Sequence, residues 1–149
     1  YEEEFAPDLK DVINKTNLTP DEVIALHTSR ILEVAIMGFL PGLGYLTGVD
    51  DALHLPRRNE PRTFVPQGSV GLAMDQTVIY PLNSPGGWNL IGRMPIPLFD
   101  QKRENPILFS AGDQVSFYAV NADEYEELAA SCVDGNLPIC PEQGDEAAL

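Results

Sequence analysis

Three arginines, Arg57, Arg58 and Arg62, stand within six positions, and Glu60 is the only carboxylate in that segment. One carboxylate cannot neutralise three guanidiniums, and a buried arginine needs an anion partner. The guanidinium is a planar fork of donors that matches a carboxylate or phosphate, so the three are candidate anion contacts. Further along, Gln76, Tyr80 and Ser84 add hydrogen-bonding groups, Trp88 adds a large apolar wall, and Arg93 follows a glycine-rich loop that it could hold in place. Such donors suit the stabilisation of developing negative charge. His27 is a candidate general acid or base, with an unperturbed pKa near 6.5; a helix histidine bonded to the backbone is the other reading. His54 reads as a surface residue. Ser84 sits in Ser-Pro-Gly-Gly with no Gly-x-Ser-x-Gly elbow around it, which favours a turn over a nucleophile. Cys132 and Cys140 match no zinc spacing and neither histidine is close in sequence, so no metal is expected.

The charge distribution marks the same segment. The 149-residue chain carries 23 acidic and 9 basic residues, a net charge of -14. Residues 38–97 are nonetheless neutral, with four acids, four arginines and no lysine, and they hold nine of the 12 glycines and eight of the 13 prolines. The acidic balance argues against nucleic acid as a partner. No apolar run approaches the ~20 residues of a membrane helix, so no membrane is expected. Two cysteines make no disulfide framework, which favours a cytoplasmic protein.

The elements that must position these side chains are short. Residues 7–17 read as a helix, with Pro7 in its first turn and Leu9, Val12 and Ile13 on one face. Thr19-Pro20-Asp21-Glu22 is a capping box that opens a second helix, making a small hairpin over 7–28. Strands are expected at Ile31–Phe39, Ser69–Met74, Thr77–Tyr80, Trp88–Ile91 and Gln114–Val120. Asn121–Ser131 reads as a last helix, capped by Asn121 with Glu124 three residues on. Residues 132–149 read as a loosely ordered acidic tail. Short strands punctuated by Gly and Pro indicate one mainly β domain, a barrel or a sandwich, over 1–131. Gly38-Phe39-Leu40-Pro41-Gly42-Leu43-Gly44-Tyr45-Leu46 lacks the Gly-Lys-Ser/Thr ending of a phosphate loop. Its apolar residues, Phe39, Leu43 and Tyr45 among them, form a candidate partner-contact patch.

A set of motifs co-occurs from about Phe5 to Val120. It comprises Leu26-His27-Thr28, Gly38-Phe39-Leu40-Pro41-Gly42, Pro56-Arg57-Arg58, Pro61-Arg62, Val65-Pro66, Gly68-Ser69-Val70-Gly71, Gln76-Thr77, Tyr80-Pro81 and Ser84-Pro85-Gly86-Gly87-Trp88-Asn89-Leu90-Ile91-Gly92-Arg93. Together they resemble the C-terminal domain shared by the B-type component of bacterial 5-oxoprolinase, Kip-type sporulation-kinase inhibitors and allophanate hydrolase subunit 1 proteins. The set is also similar to a subdomain of urea carboxylase. The resemblance implies a cyclophilin-like antiparallel β-barrel with small helices. It implies a share in an ATP-dependent complex that opens 5-oxoproline to glutamate, with a larger partner subunit of the C type and a third component. ATP would be bound by the assembled complex, and the domain alone would be inactive. It would place His27, Arg58 and Gln76 among catalytic residues, and Arg57, Arg62, Tyr80, Ser84, Trp88 and Arg93 against substrate. The alternatives it carries are inhibition of a sensor histidine kinase, and a biotin-dependent carboxyltransferase fragment acting on urea or a related amide. The family's N-terminal domain is expected to lie outside this sequence. Leu43 stands where the family has an aromatic residue, Gln67 where it has alanine, and Met74, Asp75 and Val78 where it has glycines.

Overall fold

The structure is a computed structural model and describes residues 1–138. Two helices come first, α1 (Leu9–Thr16) and α2 (Pro20–Thr28). The expected capping box is present: Thr19 Oγ1 accepts from the Glu22 N–H, and Glu22 accepts from the Thr19 N–H. The strands follow as β1 (Leu32–Met37), β2 (Gly44–Thr47), β3 (Arg62–Val65), β4 (Ser69–Ala73), β5 (Gln76–Ile79), β6 (Ser84–Gly86), β7 (Asn89–Arg93) and β8 (Gln114–Val115). The last helix, α3 (Ala122–Ser131), carries the second predicted capping box, Asn121 with Glu124. Six strands form an antiparallel sheet in the order β7-β4-β5-β2-β1-β8, and β3 and β6 form a separate ribbon. The mainly β, antiparallel class is therefore the observed one. β7 and β8 are the sheet's edges, so among the described residues no ladder closes it into a barrel.

Alternation along the strands builds two cores, one on each face. Val70, Leu72 and Ile79 join Val12, Val23 and Leu53 on the face covered by α1 and α2. Ala73, Val78 and Tyr80 join Leu43, Val65, Trp88 and Leu90 on the other face. This second, smaller core is roofed by the β3–β6 ribbon.

One local expectation is corrected. The strand expected over Gln114–Val120 pairs only at Gln114 and Val115, opposite Glu33 and Leu32. It lies at a sheet edge, where alternation finds only one neighbouring strand to pair with. The β4–β5 turn is a two-residue loop, Met74-Asp75, with Met74 at φ 54°. Hairpin loops of this length favour glycine at positive φ, and this chain places Met74 there. Of the tail expected from residue 132, the structure describes 132–138. Cys132 is buried, Lys102 binds Asp134 at 2.8 Å, and Gly135 packs against the Lys102 backbone. The rest of that expected tail, 139–149, lies outside the described residues.

Candidate functional site

The arginine cluster resolves into two different environments. Asp8, 1% exposed, is the anion that Arg58 and Arg62 meet. Arg62 donates from Nη1 to Asp8 Oδ2 and from Nη2 to Oδ1, each at 2.7 Å, and Arg58 Nη1 donates to Oδ1. The Leu90 N–H donates to Oδ2 at 2.7 Å, and the Asp8 N–H donates to the Leu90 carbonyl. Asp8 occupies the cap position of α1, yet its carboxylate makes no cap bond because the arginines and β7 claim it. The hydrogen bonds to Asp8 push the Arg62 pKa above its ordinary value. This cluster ties α1, β7 and the 57–62 segment together, so Arg58 and Arg62 are held by an internal carboxylate.

Arg57 has a different fate. It forms no ion pair among the described residues, and its guanidinium sits 5.6 Å from the centre of the Trp88 ring. Both line a cleft of about 320 Å³ with Phe39, Leu43, Tyr45, Arg58, Pro61, Val78, Tyr80 and the Pro85–Trp88 turn. That volume lies at the small end of small-molecule sites. Tyr80 is buried, which pushes its phenol up to about 12 even though the Trp88 backbone hydrogen bond pulls the other way. Its hydroxyl is thus a protonated donor at neutral pH. A Cβ on Gly86 would fall 2.3 Å from that hydroxyl, so the turn can pass Tyr80 only with glycine there. Arg58 donates its backbone N–H to the Gly87 carbonyl at 2.8 Å, fixing one cleft wall to the other.

The fold therefore brings Arg57, Arg58, Tyr80 and Trp88 together with Phe39 and Tyr45, although they come from segments far apart in the chain. Other candidates fall elsewhere. His27 is on the opposite face of the sheet. It is buried, its Nδ1 faces the Tyr1 hydroxyl at 2.6 Å, and its Nε2 faces Thr77 Oγ1 at 3.1 Å. Thr77 Oγ1 donates to the Gly71 carbonyl, which leaves it to accept from Nε2–H and makes Nδ1 the acceptor from Tyr1. Burial lowers the His27 pKa to about 4 and pushes the Tyr1 phenol up. A neutral imidazole saturated by two hydroxyls, with Phe117 at 4.6 Å, is core structure and makes no contact with the cleft. Gln76 starts β5 outside the cleft lining. Ser84 donates to the Pro85 carbonyl at 3.1 Å, a turn bond. Arg93 lies 4.6 Å over the Phe5 ring and lines a separate apolar cavity near α3. Of the expected partner contacts, Phe39 is 66% exposed at φ 71° and Tyr45 is half-buried, but Leu43 is 2% exposed. Leu43 packs within the second core, so it is no surface contact.

Two partner residues that decide these environments escape sequence reasoning. Asp8 is one: the surplus of arginines signals that an acid must exist, but nothing in chain order says which. Thr77, the partner of His27, is the other. Among the described residues no cluster of histidine, cysteine, aspartate and glutamate could hold a metal ion, and no helix is long and apolar enough to cross a membrane.

The cleft lies on a six-stranded antiparallel sheet, its walls supplied by the ribbon and by loops. It is small and rich in hydrogen-bond donors. A family model described as "Carboxyltransferase domain, subdomain C and D" matches residues 1–109, and the chain belongs to that family. It is 42% identical over 125 residues to the B-subunit of 5-oxoprolinase from Bacillus subtilis, covering 84% of this chain and 52% of that relative. It is 47% identical over 117 residues to the protein of the same name from Haemophilus influenzae, covering 78% and 55%. A putative urea carboxylase of Emericella nidulans shares 33% identity over 136 residues, covering 85% of this chain and 11% of the relative. The crystal structure of a conserved uncharacterized protein from Pyrococcus horikoshii superimposes with a TM-score of 0.80 at 41% identity, covering 84% of this chain and 58% of that one. The chain thus spans about half the length of the two 5-oxoprolinase relatives.

Proposed function

We propose that this domain is the substrate-holding part of a shared active site in an ATP-dependent 5-oxoprolinase complex. The observation that carries the reading is the make-up of the cleft. It offers two arginines and two tyrosine hydroxyls, and no carboxylate, imidazole, thiol or serine lines it. Such a site can hold an amide and stabilise negative charge on its oxygen. Among the described residues it lacks the carboxylate, imidazole and thiol groups that most often act as base or nucleophile. The relatives named as one subunit of a 5-oxoprolinase support the same division of labour, because a subunit works with others. In the reaction the lactam C–N bond breaks, water supplies the oxygen of the new carboxylate, and the ring nitrogen leaves as the amine. Hydrolysis of ATP to ADP and phosphate, which consumes a second water, is coupled to the opening within the complex and drives it.

The described residues offer no phosphate loop for ATP. The Gly38–Leu46 segment joins β1 to β2, with the Gly38 N–H bonded to the Leu43 carbonyl, and no helix N-terminus follows it to receive phosphates. ATP would bind elsewhere in the complex. Phe39, exposed on the cleft rim, is a residue that the larger partner subunit would cover.

The test uses the full-length protein reconstituted with its larger partner subunit and third component. Phosphate release from ATP should depend on added 5-oxoproline and fall at least tenfold in Trp88→Ala with the complex still assembled. Release independent of 5-oxoproline would overturn the reading. The family relation to a urea carboxylase favours one second reading, a carboxyltransferase acting on urea. A requirement for biotin and bicarbonate in place of 5-oxoproline would establish that one.

A further inference from the structure

We infer that Arg57 reads the charge of the ligand: the cleft selects a small amide bearing a carboxylate over a neutral amide, with the carboxylate on the Arg57 guanidinium. The inference rests on the assignment of the cleft as a substrate site and goes further, to the class of molecule it admits.

The argument is a count of charge around the cleft. Asp8 and Asp11 offer two negative charges to Arg58 and Arg62, so that cluster is balanced. Arg57 adds one positive charge with no ion pair among the described residues. Among the described residues no acidic side chain lines the cleft. A cationic cleft in a chain of net charge -14 is a local reversal of the protein's field. It concentrates anions and leaves a neutral urea without advantage.

Arg57 and Arg58 are not equivalent in this role. Arg58 is anchored by Asp8, with its backbone N–H bonded to Gly87. Arg57 is solvent-exposed and lies over the Trp88 face, 5.6 Å away, with no carboxylate partner among the described residues. Stacking on an indole restrains a guanidinium without using its N–H groups. Less freedom is then lost when an oxyanion takes the fork. Tyr80, protonated at neutral pH, is a second donor in the same cleft for a carbonyl oxygen. A five-membered lactam with one carboxylate presents both acceptors, whereas urea presents a carbonyl alone.

The anion could equally be a phosphate of ATP, and the experiment separates the two sources. Dissociation constants for 5-oxoproline and for 2-pyrrolidinone, the same ring without the carboxylate, are measured by calorimetry on the assembled complex without ATP. Wild type is compared with Arg57→Gln and Arg57→Lys, and complex assembly is checked by sedimentation. A lost charge-assisted hydrogen bond corresponds to roughly 10–100-fold in affinity. Arg57→Gln should weaken 5-oxoproline by that factor and leave 2-pyrrolidinone within about twofold. Arg57→Lys should recover part of the loss, and the KM for ATP should not move. Equal weakening of both lactams, a raised KM for ATP, or loss of assembly in Arg57→Gln would each overturn the inference. Selective weakening of 5-oxoproline in a complex that never turns it over would keep the inference and sink the assignment of activity.

Discussion

Replacing Asp8 by asparagine tests whether the internal carboxylate, rather than a ligand, is what Arg58 and Arg62 exist to meet. The side chain keeps its shape and loses its charge. Asp8 accepts four hydrogen bonds, three from the two guanidiniums and one from the Leu90 N–H. In asparagine one oxygen becomes an NH₂ that points donors at donors. Breaking a buried ion pair by removing one partner costs about 3–5 kcal/mol. Arg58 and Arg62 are each about a quarter exposed, 26% and 24%, so water recovers part of their solvation and the lower figure applies, about 3 kcal/mol. A single domain of this size has only about 5–15 kcal/mol to lose, so the variant should fold but be visibly weakened. Trp88 is the only tryptophan and sits in the cleft, so its fluorescence during urea unfolding reports both stability and the cleft's integrity. Asp11→Asn is the control. Asp11 is 60% exposed and 3.9 Å from Arg58, and its loss should cost under about 0.5 kcal/mol. A loss below about 1 kcal/mol for Asp8→Asn would refute the reasoning and return both arginines to the set of ligand contacts.

Three further outcomes are expected. His27 has a folded pKa of about 4 against 6.5 unfolded. Its contribution is thus intact above pH 6.5 and is lost as the pH falls from there toward 4, where the unfolded chain binds the extra proton; the loss is on the order of 3 kcal/mol. Urea unfolding from pH 7 to 4 should show that slope, and His27→Gln should flatten it; an unchanged slope would refute the assignment. Met74→Gly should raise stability by about 1 kcal/mol, because it relieves a left-handed residue that is 44% exposed and packs little. A destabilised variant in thermal melts would count against this. Gly86→Ala sets a methyl against the Tyr80 hydroxyl at 2.3 Å and should cost about 1–3 kcal/mol while shifting Trp88 emission; neutral behaviour in both readouts would contradict the packing described here.

Local chemistry was legible in the sequence. Both capping boxes stand where Thr19-x-x-Glu22 and Asn121-x-x-Glu124 require them, because a cap depends on residues three apart. β1, β4, β5 and β7 were legible for the same reason, because alternation and flanking turns are properties of neighbours; β2, inside the segment read as an apolar loop, was not. The strand expected over Gln114–Val120 failed because pairing depends on what lies alongside, and little does at that edge.

The site divides along the same line. The residues Arg57, Arg58, Tyr80 and Trp88 could be nominated from type and spacing, since few side chains carry charge and large apolar area in so short a stretch. Their roles could not. Arg57 and Arg58 are adjacent and chemically identical, yet Asp8, 50 positions from Arg58, neutralises one and leaves the other facing the cleft. His27 has the residue type of a general base, and only the sheet's second face, with Thr77 and Tyr1 around it, makes it a neutral core group. Sequence order sets which groups exist and the local backbone they sit on. Partnership and solvation are set by chain closure over tens of residues, and those decide whether a charge is spent inside the protein or left for a ligand.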